Sequence, residues 1–135
     1  MTYATRRDLE SRFGAAEILK LADGADGAAR IAAVLADAAA EIDSRLASAF
    51  RLPLPAGAWP MLLRIQCDLA RGLLYDDAPP DRVSANVAAA RRQLGDVAEG
   101  SVRLVDSHGR PAARSDAGTA TPGRRTFTQD RLGGW

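Results

Sequence analysis

The chain has 135 residues, 47% of them hydrophobic and only 5% aromatic. That is enough apolar material for one cored domain, and too much for a chain disordered throughout. Net charge is +1, which excludes a body that binds polyanions by bulk charge. The balance is uneven along the chain: residues 1–100 carry 12 basic and 14 acidic side chains, and residues 101–135 carry 6 Arg and 3 Asp.

Alanine dominates and β-branched residues are sparse, which favours helices. The basic residues are 17 Arg and a single Lys, a usage suited to bidentate pairing. One cysteine excludes an internal disulfide framework and fits a reducing compartment. The start of the chain lacks the apolar core of a signal peptide, and no apolar run reaches membrane-spanning length. The expectation is a protein that stays in the cytoplasm where it is made, with no membrane contact.

The first helix announces itself at Thr5-Arg6-Arg7-Asp8, a capping box with Asp in place of Glu. Leu9 and Phe13 form an apolar pair one turn apart, and Gly14 can close the helix. A short second helix, "AAEILKLA", covers 15–22, and "DGADG" at 23–27 is a loop by composition. The third helix is predicted over 28–50. Its apolar stripe runs Ile31, Leu35, Ala38, Ile42, Leu46 and Ala49, at helical spacing.

"RLPLPAGAWP" interrupts the pattern, because Leu52 and Leu54 each precede a proline and are pushed to extended backbone. Pro60 suits the first turn of a fourth helix running to about residue 75. That helix is apolar nearly all round and is expected at the centre of the domain. The predicted core is Ile42 and Leu46 from the third helix with Leu62, Ile65, Leu69 and Leu73 from the fourth. "DDAPP" punctuates again. A fifth helix then begins near Pro80, with Asp81 in its first turn and Val83, Val87, Ala90, Leu94 and Val97 on one face. Gly95 within it either allows close packing or ends it early, and Gly100 is the stop.

Beyond Gly100, "SVRLVD" reads as a short strand or extended segment. Residues 107–123 lack any period and any large apolar side chain, and are expected to form a flexible loop. Phe127, Leu132 and Trp135 then appear along a short terminal arm that also carries Arg124 and Arg125. The reading is an all-α bundle of four to five helices over 1–100, followed by an extended, partly flexible C-terminal segment and docking arm over 101–135. Phe127, Leu132, Trp135, Arg124 and Arg125 are the expected partner-binding residues, since Trp, Phe and Arg are typical interface anchors.

No catalytic or metal site assembles on paper. His108 is the only histidine, and it lacks a rigid frame and a partner to set its tautomer. Cys67 lies in the most hydrophobic helix, where a buried structural thiol is expected rather than a nucleophile. Asp23 and Asp26 are too few and too closely spaced for a calcium loop, and read as a turn capping the next helix. Asp68 has Arg64 one turn before it and Arg71 one turn after, which suggests a structural carboxylate–guanidinium cluster. The doublets Arg91-Arg92 and Arg124-Arg125 lack the interleaved aromatics of a nucleic-acid surface. No enzyme activity and no cofactor are expected.

Five stretches taken in order resemble one family. They are "YATRRDLESRFG", "ILKLADGADG", "ADAAAEIDSRLASAFRLPL", "CDLARGLLYDDAPP" and "LGDVAEGSVRL". The family is the Mu-like phage neck proteins, the head–tail connectors or adaptors. Phe50 stands where that family often has Tyr, and the stretch 106–126 looks particular to this chain. The resemblance implies a mostly helical structural protein of the virion neck, made in the host bacterial cytoplasm. It implies a homo-oligomeric ring, commonly twelvefold, beneath the portal protein. The ring receives the tail or a tail-terminator protein and lines the channel for duplex DNA, which passes through the lumen without specific binding. It carries no catalytic residues over. Two other classes stay open on the residues alone: a small helical nucleic-acid-binding module, and a helical regulator of a single protein partner.

Overall fold

The computed structural model describes residues 1–115. Within them the chain forms five helices: α1 (Arg6–Phe13), α2 (Ala15–Leu21), α3 (Gly27–Leu46), α4 (Pro60–Leu73) and α5 (Asp81–Glu99). Each begins where local chemistry permits. The Thr5 hydroxyl accepts from the Asp8 N–H while the Asp8 carboxylate accepts from the Thr5 N–H, completing the capping box of α1. Pro60 opens α4 with Trp59 just outside it, where a missing N–H costs nothing. Asp26 precedes α3, but its side chain makes no capping hydrogen bond, so the "DGADG" turn leads into the helix without the carboxylate cap expected of it. Gly100 ends α5 with φ +93°, the left-handed conformation that favours glycine.

α4 is the central element. It packs on α3 along one side and α5 along the other, and α1 crosses it as well. The aliphatic core gathers Leu9, Ile18, Ile31, Ile42, Leu46, Leu62, Ile65, Leu69 and Leu94 around it. Of the six predicted core residues, Ile42, Leu46, Leu62, Ile65 and Leu69 are buried, but Leu73 is 43% exposed. The helix is apolar nearly all round, yet at its last turn its neighbours cover only part of that surface.

α3 stops at Leu46, four residues short of the expected end. The Ser48 hydroxyl donates to the Arg45 carbonyl, 2.9 Å away, the kind of local bond that competes with helix propagation. Phe50 then leaves the helix to form an antiparallel bridge with Arg114. The following Leu52–Pro53 peptide is cis.

Residues 101–115 do not behave as a loose tether. Leu104 is buried, and Val102 and Ala112 pack against the core. Val105 and Pro111 form a second bridge. The Ser107 N–H donates to the Ala58 carbonyl at 3.0 Å and the Ser115 N–H to the Ala49 carbonyl at 2.8 Å. The expected loop from 107 is therefore, through 115, a hairpin fastened to the helical body. Its anchors are short apolar residues and backbone bonds, which leave no periodic trace in sequence.

Candidate interaction surface

Three arginines and one glutamine hold the helices in place, and all four do so through groups that sequence spacing does not pair. Gln66 is fully buried on α4. Its Oε1 accepts from the N–H groups of Tyr3 (2.7 Å) and Ala4 (2.8 Å), and its Nε2 donates to the Leu35 carbonyl at 2.9 Å. The N-terminal segment is thus sewn to the central helix by one amide.

Arg71 forks onto Glu17, Nε to Oε2 at 2.7 Å and Nη2 to Oε1 at 2.9 Å. Its guanidinium also stacks 4.2 Å from the centre of the Phe13 ring. Arg30 donates to the carbonyls of Leu21 and Leu74 and to the Asp76 carboxylate, tying together the ends of α2 and α4. Arg114 donates to the carbonyls of Val97 (3.2 Å) and Ala98 (2.8 Å), the last turn of α5, and lies over Phe50. Cations at Arg30 and Arg114 sit where helix C-termini concentrate negative potential.

The expected Asp68 cluster is rearranged. Arg71 is spent on Glu17, and Arg64 donates to Gln93 Oε1 at 2.7 Å. Burial pushes the Asp68 carboxyl above its ordinary range, with Arg12, then Arg64 and Arg71, pulling the other way. Cys67 is buried, as read from sequence, and burial pushes its thiol up to about 12. His108 is exposed in the hairpin turn, its backbone N–H bonded to the Asp106 carboxylate. Among the described residues no three of His, Cys, Asp or Glu converge as a metal would need. Nor is any helix there long and apolar enough to cross a membrane.

One surface that these clasps leave open is a groove of about 600 Å³ between α4 and α5, lined by Leu69, Gly72, Leu73, Pro79, Ser84, Val87, Ala88 and Arg91. Its shape follows from Gly72. A Cβ at that position would fall 2.6 Å from Val87 Cγ2, so glycine lets the two helices approach there. Leu69 forms the buried floor and Leu73 stands exposed at the rim. Arg91 closes one end and is itself held by a fork onto Glu41, at 2.8 and 3.1 Å. The Arg91 half of the first basic doublet is therefore engaged within the fold.

Leu73 is the only predicted core residue on this surface that stands exposed. Phe127, Leu132, Trp135, Arg124 and Arg125, the expected partner-binding residues, lie outside the described residues. Sequence reading passed over the groove because its lining comes from two helices and a loop. The one available signal was the excess of leucine at the end of α4.

Fold and surface together define a small all-α bundle whose buried polar groups serve as clasps and which carries an apolar groove between two of its helices, with Leu19 and Met1 exposed elsewhere. The chain belongs to the phage family described as Bacteriophage Mu, Gp36, whose model matches residues 3–121. The matched span takes in 106–121, part of the stretch expected to be particular to this chain. A search of curated proteins finds no match.

Proposed function

We propose that this phage protein is a structural head–tail connector: a neck adaptor that assembles as a homo-oligomeric ring beneath the portal, receives the tail, and surrounds the exit channel for duplex DNA. The observation that carries the reading is the α4–α5 groove with Leu73 exposed at its rim. An apolar concavity on a rigid bundle is a surface for a protein partner. Membership of a Mu phage family and the order of sequence resemblances support assigning that partner to the virion neck. The near-neutral charge of residues 1–100 suits a lumen that lets DNA slide, since each extra phosphate contact would strengthen retention.

The test is the mass of the assembled species, measured by native mass spectrometry and electron microscopy with and without portal protein. A closed ring of single stoichiometry that co-migrates with portal is expected. A protein that stays monomeric alone and in the presence of portal overturns the reading. Tight, salt-dependent retention on duplex DNA by the isolated protein would instead favour a nucleic-acid-binding module.

A further inference from the structure

We infer that the α4–α5 groove is the receptor for the C-terminal segment 124–135 of a second copy of the same chain, so that each subunit offers its end to a neighbour. The inference rests on the self-assembly proposed above and adds the contact that makes it.

The groove is built for an apolar segment. Its floor and walls are Leu69, Leu73, Val87 and Ala88, and Gly72 lets α4 and α5 meet closely beside Val87. One end is acidic. Asp81 lies one turn before Ser84 on the groove-lining face of α5, and Asp77 sits in the loop just before Pro79. Neither Asp77 nor Asp81 has an ion pair among the described residues. Arg91, at the other end, has its charge answered by Glu41.

The segment 124–135, "RRTFTQDRLGGW", has the matching chemistry: Phe127, Leu132 and Trp135 for the groove, with Arg124, Arg125 and Arg131 for the carboxylates. Trp and Arg are the residue types that most often dominate binding energy.

The proposed ring favours a neighbour's groove over the chain's own, and the positions of the two ends permit it. The last described residue, Ser115, is held against Ala49, and Arg114 is clamped to Val97 and Ala98 at the C-terminal end of α5. The groove is at the other end of α5, around Ser84 and Val87. The 14 steps from Ser84 to Ala98 correspond to roughly 20 Å of helix. The 20 residues from 116 to 135 reach at most about 70 Å when extended, enough for the chain's own groove or a neighbour's, and the test below separates the two. The end of one copy seated in the groove of the next is a heterologous contact, the kind that closes into rings when the rotation allows.

The experiment uses the full chain with Trp59→Phe, which leaves Trp135 as the sole indole. Trp135 emission is followed through serial dilution, with oligomer mass measured in parallel, in that background and with Leu73→Asp added. The expected result is blue-shifted emission at high concentration that turns red on dilution as the oligomer dissociates. Leu73→Asp should weaken association by at least roughly tenfold while leaving far-ultraviolet circular dichroism and melting unchanged.

A blue shift independent of concentration means that the segment lies in its own groove, and overturns the inference. A concentration-dependent shift indifferent to Leu73→Asp places the contact elsewhere, and also overturns it. Rings that form with Trp135 still red sink this contact alone and leave the connector reading standing. A chain that is monomeric at every concentration, and red throughout, sinks this contact; the portal experiment then decides the reading beneath it.

Discussion

Leu69 and Leu73 are one helical turn apart on α4 and line the same groove, yet Leu69 is 1% exposed and Leu73 is 43% exposed. The pair divides one apolar stripe between core and surface. Leu69→Asp should therefore put an unpaired charge into the centre of the bundle and cost several kcal/mol. Leu73→Asp should change monomer stability by no more than about 0.5 kcal/mol. Thermal melts of the two variants at low protein concentration check this, and equal losses would mean that Leu73 is a core residue after all.

Gln66 supplies the acceptor for the part-buried backbone N–H of Tyr3 and the buried one of Ala4. Gln66→Leu keeps the volume close but leaves both donors unanswered. The expected loss is about 2–6 kcal/mol, each unsatisfied group costing about 1–3 kcal/mol. Urea denaturation measures it. Hydrogen exchange should show faster opening at the N-terminal segment, and an unchanged exchange rate there would contradict the role assigned to the amide.

Burial raises the folded-state pKa of Asp68 above its ordinary value of 3.8. The native state then binds a proton more tightly than the unfolded chain, so this group costs stability at neutral pH. The cost fades as pH falls through the raised value and is gone below about 3.8. Asp68→Asn should accordingly melt higher than the parent at neutral pH, with the advantage vanishing in acid. A neutral-pH loss in the Asn variant would show that Arg12, Arg64 and Arg71 outweigh desolvation.

Arg114 fastens the hairpin to the last turn of α5 and to the face of Phe50. Arg114→Ala should cost about 1–3 kcal/mol through lost charge-assisted bonds. It should also open the 101–115 segment to limited proteolysis. Arg114→Lys should recover only part of the effect, because an ammonium cannot fork between two carbonyls and stack. Cleavage patterns before and after substitution decide the point.

The Cys67 thiol is fully buried and pushed up to about 12, so it is neutral and shielded at physiological pH. A colourless-to-coloured disulfide reagent should react with it only as fast as the protein unfolds. Reaction of the native protein at the rate of a free thiol would show that α4 is not where the core lies.

Much of the architecture is legible in the amino-acid order because its causes are local. The capping box at Thr5 and Asp8, Pro60 at the head of α4, and Gly100 in a left-handed turn are each dictated by neighbours within one helical turn. The stripes of α3 and α5 are periodic for the same reason, and the burial of Ile42, Leu46, Leu62, Ile65 and Leu69 follows from them. The end of α3 was misplaced because Phe50 answers to Arg114, which lies far along the chain.

Propensity, capping and periodicity act over a few residues, and they suffice for the set of helices, their apolar faces and the centrality of α4. The exposure of Leu73, the pinning of residues 107–115 where a loose loop is expected, and the pairing of Arg71 with Glu17 rather than Asp68 emerge only in the folded chain. Those outcomes depend on which surfaces meet when the helices close. Burial and ion pairing are set by groups brought together across tens of residues, and no spacing along the chain encodes a contact that packing geometry alone creates.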